Sequence, residues 1–523
     1  REKSTMATHR LTHWIALSCL ATLISGPAWA AGTTLNVGMA SADAGKLDPH
    51  LSATTPDKGL MHWMFNGLVR IAPGKASPEF IEPDLAESWT TSDDGLTWTF
   101  SLRQGVQCHH GYGELTAEDI VYSLERAADP DRSSFASDYA AIEKVEASGS
   151  HEVMITLREN VPSLLGLLVP YHGGNVVCKK AAEEMGEDFQ KKPVGTGPFA
   201  FDEYQPQQFV RLKANKDYFR GAPKLEEIIY RYIPSDASRD LAFQSGEIDM
   251  IYGKQDQTWV DRISEIEGAK VVVMEPGEMS TFHLNLTQPP LDDIRVRQAI
   301  AHAIDRDAMV AFRGQSVARA SVSPVPEPYL GFSDDVPVLP YDVEKAKALL
   351  AEAGHPDGVT IKAIHTTLPG MLTTIEAVQA LLREANINLE IEPVEHATFH
   401  AQIREDLSQV IHYSAARFPI ADVYLTQFYH SRSIVGTDSA VTNFSHCDVA
   451  DAEIDAARTA TDAEEQKRLW AEAQKKIVEN VCGIPIYQNM QLWAWNDKLN
   501  LGVEVEGSLN LSPPVTELAS FTE

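Results

Sequence analysis

The chain has 523 residues, 44% of them hydrophobic, and its 44 Lys and Arg against 74 Asp and Glu give a formal net charge of −30. Such an acidic surface repels nucleic acid and anionic lipid headgroups, which excludes proteins that bind either one through a basic patch. The length exceeds one hydrophobic core of typical size, so two or three lobes are expected.

The N-terminal segment has the pattern of a secretory signal peptide. Residues before Met6 are interpreted as upstream sequence, His9-Arg10 supplies a short basic region, an apolar run covers 14–24, and Ala28-Trp29-Ala30 is a cleavage site of the A-x-A type. The apolar run is shorter than the ~20 residues that a membrane-spanning helix needs. We therefore expect residues 1–30 to be removed during export.

The stretch 84–126 predicts a turn, a strand and a helix in succession. Ser92-Asp-Asp-Gly95 has turn chemistry, and residues 97–102 then alternate between polar and apolar as in a half-buried strand. Thr116 is placed as an N-cap, with acidic residues in the turn that follows, so a helix is predicted from about Ala117.

Later segments alternate between strand and helix patterns, which predicts an α/β protein with mixed β-sheets flanked by helices. Predicted helices cover about 238–244, 292–305, 341–354 and 374–385, and two acidic helices lie between 451 and 478, split near 459–462. Predicted strands include 153–157, 228–233, 281–285, 387–391, 484–487 and 492–495.

Several of these segments resemble the bacterial extracellular solute-binding proteins of family 5, the peptide, nickel and opine receptors of ABC importers. The resemblance is carried by Asp84 to Val106, by Lys192-Pro-Val-Gly-Thr-Gly-Pro-Phe199 and by 292–305. It implies a two-lobed periplasmic binding protein of type II with an extra domain, whose lobes close over a solute about a hinge. The crossing segments are expected near 193–198 and 279–285.

The resemblance also implies a discontinuous domain division and a set of partners. Lobe I is expected at 31–72, 196–283 and 490–523, lobe II at 73–195 and domain III at 284–489. The implied protein is a monomer without bound cofactor or metal, whose partners are a small solute or peptide and the permease subunits of the inner membrane.

Four cysteines, Cys108, Cys178, Cys447 and Cys482, remain once Cys19 leaves with the signal peptide. An even number in an exported chain indicates two disulfides, for which three connectivities are possible. With the implied domain division, we favour Cys108 with Cys178 and Cys447 with Cys482, since each pair then lies inside one domain. Unpaired buried thiols are the alternative.

A metal site and an enzyme are competing interpretations. His109 and His110 beside Cys108, with His172 and Cys178 later in the chain, have the ligand types that zinc or nickel accepts, but their spacing matches no metal motif. A turn with two exposed histidines is the better interpretation. The compact motifs of common hydrolases, nucleotide enzymes and redox enzymes are absent, so we expect no enzyme and keep a periplasmic hydrolase as the alternative.

The ligand class is argued from residues 417–425. In peptide-binding relatives an acidic Pro-Asp-Pro-Asp-like stretch pairs with the ligand's amine, and here Ile420 takes the place of the first aspartate while Asp422 remains. A guanidinium suits a carboxylate, so Arg417 is the expected anchor of a ligand that lacks a free peptide amine.

The remaining ligand-binding candidates are Tyr413 and Phe418 as aromatic walls, together with Asp422 and Tyr252. The expected ligand is a peptide or a small carboxylated solute such as an opine or an amino-acid conjugate, and a nickel chelate ranks last. In the alternative interpretation Arg417 makes a surface ion pair and Asp422 caps a helix that begins at Val423.

Overall fold

The computed structural model describes residues 33–522, except 53, 162, 328, 368, 437–441 and 461. The predicted signal peptide lies outside the described residues. No helix in the described ranges is long and apolar enough to cross a membrane.

Strands and helices alternate along much of the chain, as expected for an α/β protein. The strands are β1 Thr34–Met39, β2 Val69–Ile71, β3 Ile81–Pro83, β4 Ala86–Thr91, β5 Thr97–Leu102, β6 Gln107–Cys108, β7 Gly113–Glu114, β8 Ile142–Ala147, β9 Glu152–Leu157, β10 Phe199–Gln205, β11 Phe209–Ala214, β12 Glu227–Tyr232, β13 Met250–Tyr252, β14 Ala269–Leu284, β15 Ala318–Ala320, β16 Val359–Thr366, β17 Ile387–Val394, β18 Val410–Ala415, β19 Gly483–Asn496, β20 Leu499–Asn500 and β21 Ser520–Phe521. The helices are α1 Thr55–Met64, α2 Ala117–Ala127, α3 Leu164–Leu167, α4 Lys179–Met185, α5 Asp236–Gln244, α6 Gln257–Ser264, α7 Ile294–Ala303, α8 Arg306–Arg313, α9 Val343–Glu352, α10 Pro369–Glu384, α11 His396–Arg404, α12 Ala421–Tyr429, α13 Asp451–Thr459 and α14 Ala463–Glu479.

The largest sheet contains strands from β1 near the start of the described chain to β19 near its end. Its strand order is β10-β11-β12-β1-β13-β19-β14-β18-β16-β17, with β15 paired to β19. The long antiparallel strands β14 and β19 connect the β10–β13 side of this sheet to the β16–β18 side. Their register shifts between Met274 and Glu278. A separate antiparallel sheet, β4-β5-β9-β8, lies in the segment that the sequence assigns to lobe II.

The two strands predicted at 484–487 and 492–495 form one continuous strand, β19. Their separation was wrong because pairing with β14 extends from Gly483 to Asn496 and supplies backbone partners through the middle of the segment. By contrast, β5 has the predicted bounds, and α2 begins at Ala117 behind a capping box formed by Thr116 and Asp119.

The turn at 195–197 needs its glycines because the chain passes against the end of α1. A Cβ at Gly197 would lie 2.5 Å from the carbonyl carbon of Met64, and one at Gly195 would lie 2.3 Å from the Met64 oxygen. The Gly197 amide donates to the Met64 carbonyl at 2.9 Å. This contact fixes α1 against the connection that precedes β10.

His109 is buried rather than exposed, so the expected turn with two exposed histidines was half wrong. Its Nε2 donates to the Gly197 carbonyl at 2.9 Å, and burial lowers its pKa to about 4. His110 is exposed and has a positive φ of 59°. The difference arises because the turn packs against the 195–197 segment, which is distant in sequence.

Disulfides join Cys108 to Cys178 and Cys447 to Cys482, the pairing favoured from the sequence. All four cysteine side chains are buried. The first bridge ties the β6 segment to the start of α4, and the second ties the segment before α13 to the start of β19. No group of three or more potential metal-ligating side chains occurs among the residues that the structure describes.

Candidate ligand-binding site

A cavity of about 610 Å³ lies between two faces that are far apart in sequence. One face comes from α12, the segments on either side of it and the end of α13, and the other from the stretch between α2 and α4. The polar and aromatic side chains that line it include Asp138, Tyr171, His172, Arg417, Phe418 and Gln427. Its size suits a small solute.

Arg417 enters the cavity from the turn between β18 and α12, and it is half-buried. Its Nε donates to Gln427 Oε1, its Nη1 donates to the Ala416 carbonyl at 2.9 Å, and its guanidinium carbon lies 5.0 Å from the centre of the Phe428 ring. The described residues place no carboxylate within 4.0 Å of the guanidinium. Within the described part of the chain, this cation therefore has no counter-ion in direct contact.

A second cation, Lys58 of α1, lies beside a stack of aromatic rings. Its Nζ is 3.1 Å from His172 Nε2, 3.4 Å from the Tyr171 hydroxyl and 4.8 Å from the centre of the Tyr171 ring. The His172 ring is sandwiched between Tyr171 and Phe135, with ring centres 4.0 and 4.4 Å away. This packing holds the imidazole in one orientation.

The tautomer of His172 follows from its two neighbours. A lysine ammonium can only donate, so Nε2 accepts from Lys58 and the proton of the neutral ring sits on Nδ1. That nitrogen lies 3.4 Å from Asp138 Oδ2. Burial and the charge of Lys58 lower the pKa of His172 to about 4, so the ring is neutral near pH 7.

These contacts continue to Arg417. Gln427 Nε2 donates to Asp138 Oδ1 at 3.2 Å, while Gln427 Oε1 accepts from Arg417. The result is a hydrogen-bonded relay, defined here as Lys58, His172, Asp138, Gln427 and Arg417. It connects α1, the face before α4, and α12 across the cavity, so it orients both cations at once.

Electrostatics places one more charge in this region. Burial, and after it the charge of Arg417, lowers the pKa of Lys58 to about 8, while Glu278 opposes the shift. Burial raises the pKa of Glu278, and the charges of Lys58 and Arg417 partly offset this rise. The described residues place no cation within 4.0 Å of the Glu278 carboxylate. Lys58, Arg417 and Glu278 therefore have no oppositely charged side chain within 4.0 Å among the residues that the structure describes.

The two faces also touch each other outside the relay. Arg432 Nη1 donates to Glu159 Oε1 at 2.9 Å, and Asn160 Nδ2 donates to the Arg458 carbonyl at 2.7 Å. Such contacts across the cavity are those of a closed conformation of the two faces.

The other predicted site residues lie around this cluster. Tyr413 is half-buried on β18, with its ring centre 5.2 Å from that of Phe444, and it is not among the residues that line the cavity. Phe418 lines the cavity and is 5% exposed. Asp422 also lines the cavity but is paired with Arg458 at 3.3 Å.

Two further points concern Asp422 and Tyr252. The helix that contains Asp422, α12, begins at Ala421, and its N-cap residue Ile420 makes no side-chain cap. Tyr252 donates to Gln491 Oε1 at 3.4 Å, and burial and Glu278 raise its pKa to about 12. It lies on β13 and is not among the residues that line the cavity.

Sequence reasoning named no role for Lys58 or Glu278 and missed Asp138 and Gln427 entirely. None of them belongs to a local motif, and His172 was considered only as a metal ligand. Asp138 and Gln427 line the cavity, and Lys58 contacts His172, which also lines it. These residues come from separate segments, and no spacing within a single segment signals their arrangement.

The fold and the cavity define a two-lobed solute receptor. The profile of the family described as bacterial extracellular solute-binding proteins, family 5, middle region, matches residues 81–435. The chain belongs to this family, and its role is to bind the substrate of an ABC importer. The fold and family expected from the sequence are thereby confirmed.

Solved structures and curated relatives agree with this assignment. The chain is 50% identical to the periplasmic binding protein MoaA from A. tumefaciens R10 in complex with mannopinic acid, with a TM-score of 0.87, covering 94% of this chain and 100% of that one. It is 25% identical to DppA from Helicobacter pylori in complex with the peptide STSA, with a TM-score of 0.81 and coverage of 94% and 99%. It is also 29% identical, over 456 residues covering 81% of this chain and 84% of the relative, to di/tripeptide-binding protein 2 from Pseudomonas aeruginosa.

Proposed function

We propose that the protein is a periplasmic receptor for a small carboxylated solute of the opine class, an amino-acid conjugate. Two lobes close over the solute, and the closed form delivers it to the permease of an inner-membrane ABC importer. The chain acts as a monomer, after export with loss of its signal peptide. The observation that carries this proposal is Arg417, a half-buried guanidinium that lines the cavity and has no carboxylate of the described residues within 4.0 Å.

The chemistry of Arg417 favours a ligand carboxylate. Its Nη2 has no hydrogen-bond partner among the described residues, and a planar guanidinium binds carboxylates through paired donors. Phe418 and Tyr171 supply aromatic walls on opposite faces of the cavity. The 50% identity to a receptor solved with mannopinic acid supports an opine as the carboxylated solute.

A peptide is the second candidate. Glu278 is a half-buried carboxylate of β14 with no cation of the described residues within 4.0 Å, and it could receive a peptide's ammonium group. The relatives that bind peptides support this reading. However, Ile420, at the place where a peptide receptor would have its aspartate, is 4% exposed and cannot pair with an amine. An amino-acid conjugate also carries an ammonium group, and Glu278 can pair with that group equally well.

Calorimetry on the mature protein tests the proposal with mannopinic acid, an uncharged-side-chain dipeptide such as Ala-Leu, and nickel-histidine as titrants. We expect binding of mannopinic acid, together with a smaller radius of gyration in solution scattering. Tight binding of Ala-Leu without binding of mannopinic acid would establish the peptide receptor instead. Native mass spectrometry of the protein as purified would reveal a nickel chelate, and mass spectrometry of the recovered ligand would detect any turnover by a hydrolase.

A further inference from the structure

Lys58 has hydrogen-bonding capacity that the described residues do not use. An ammonium carries three N–H donors. Nζ lies 3.1 Å from His172 Nε2 and 3.4 Å from the Tyr171 hydroxyl, so two of these donors have acceptors. The described residues offer no acceptor to the third donor. They also place no carboxylate within 4.0 Å of Nζ.

Neither nearby carboxylate, Asp138 or Glu278, forms an ion pair with Lys58. Asp138 uses Oδ1 to accept from Gln427 and directs Oδ2 at His172, so the relay inserts a neutral imidazole between this carboxylate and Lys58. Glu278 lies beyond 4.0 Å from Nζ. His172 therefore positions the ammonium without neutralising it.

Lys58 and Arg417 are thus two oriented cations at the ends of one relay, each with a donor left over. A cation removed from water without a counter-ion costs free energy, so a side chain kept in this state is typical of a binding site. If Lys58 only stabilised the fold, its cation–π contact with the face of the Tyr171 ring would be enough. That role would not require the contact with His172 or the relay.

We propose that Lys58 is a second anion anchor, so that the solute carries two anionic groups, one bound by Arg417 and the other by Lys58. This inference rests on the proposed function, because it assumes that the solute binds at the Arg417 cavity. With Glu278 accepting the solute's ammonium, the matching ligand is a conjugate of an acidic amino acid rather than of a neutral one.

Matched ligands isolate the second anion. Mannopinic acid is a glutamate conjugate, and in mannopine the side-chain carboxylate is replaced by the glutamine amide. Calorimetry should show that the wild-type protein binds mannopinic acid at least about tenfold more tightly, as expected for an ion pair that mannopine cannot form. In Lys58→Met this preference should fall below about threefold, mainly through weaker binding of mannopinic acid, since only the carboxylate forms an ion pair with Lys58.

Three further variants separate charge from structure. Lys58→Arg should keep a preference for the diacid, because it keeps the cation. Lys345→Met, at an exposed lysine of α9, should leave the ratio unchanged. If Lys58→Met fails to fold, Lys58→Gln replaces it. The ratio of the two opine affinities in the wild-type protein tests the inference without any variant.

The outcomes separate this inference from the proposed function. Equal binding of the two opines by the wild-type protein, or a preference that survives Lys58→Met, would overturn the second anchor and leave the opine receptor standing. If neither opine binds, the opine proposal fails, and the dipeptides Ala-Glu and Ala-Gln then decide the anchor by the same ratio. No preference within that pair would overturn the anchor as well.

Discussion

Gly166 and Phe418 meet across the ligand cavity, because a Cβ at Gly166 would lie 2.1 Å from Cε1 of the Phe418 ring. Gly166 belongs to α3, on one face, and Phe418 precedes α12, on the other. The absence of a side chain at Gly166 therefore lets the two faces close.

Gly166→Val should keep the two faces apart. We expect the affinity for the solute to fall by tenfold or more, because closure must then displace an aromatic ring from a packed site. Solution scattering should show that ligand no longer reduces the radius of gyration. Gly370→Ala is the matched control, since a Cβ there meets nothing within 4 Å and the site lies on the exposed side of α10. Normal compaction in Gly166→Val would contradict this role.

Arg417→Ala should weaken binding of a carboxylated solute by ~2 to 4 kcal/mol, the usual scale for removing one partner of a buried charge pair. Calorimetry measures the loss once a ligand is in hand. Arg468→Ala is the control, because this arginine is exposed and pairs with Glu465 within α14. An unchanged affinity in Arg417→Ala would place the anchor elsewhere and favour the peptide receptor.

Gln427→Glu should supply Arg417 with an internal counter-ion and weaken binding of the ligand carboxylate. The new carboxylate would replace the amide oxygen that now accepts from Arg417 Nε, and it would face Asp138 with like charge. We expect a loss of ~2 kcal/mol or more in calorimetry. Gln427→Leu removes the same hydrogen bonds without adding charge and should cost only about 1 kcal/mol. Equal losses in the two variants would argue against competition for Arg417.

Binding of a dianionic solute should weaken as the pH rises through about 8, the lowered pKa of Lys58. The bound anion needs the charged ammonium, so the affinity is full below this pH and falls by up to tenfold per pH unit above it. The groups that act on or contact Lys58 are Arg417, Glu278, Tyr413, Asp138, His172 and Tyr171. Calorimetry from pH 7 to 10 measures the slope. Lys58→Arg should be flat over this range, and a flat wild-type profile would show that Lys58 does not bind the solute.

Replacement of a disulfide by serines should lower the free energy of unfolding by ~2 to 5 kcal/mol, measured by denaturant titration of the exported protein. The Cys108–Cys178 bridge spans 70 residues and the Cys447–Cys482 bridge spans 35. The loop-closure argument predicts a somewhat larger loss for the longer loop. A titration of free thiols on the denatured, unreduced wild-type protein should find none at the four positions. Four reactive thiols would show that the bridges do not form.

Local chemistry in the sequence determined much of the fold. The alternation at 97–102 gave β5 its bounds, and the break between two acidic helices occurs where it was expected, between α13 and α14. The start of α2 was readable because the capping box is made by Thr116 and Asp119, which lie within one turn of each other. Such signals depend on neighbours along the chain, so a single sequence contains them.

The ligand site depended on tertiary structure. Of the five residues in the relay, only Arg417 was expected to bind ligand, because it alone stood beside a recognisable segment of the family. Asp138 and Gln427 are 289 residues apart yet share a hydrogen bond, and Lys58 and His172 are 114 apart. Burial of His109 against a carbonyl of the 195–197 turn was likewise invisible. Charges and hydrogen bonds between distant segments exist only after the sheets and helices have packed, which is why sequence patterns predicted the elements but not the arrangement of the site.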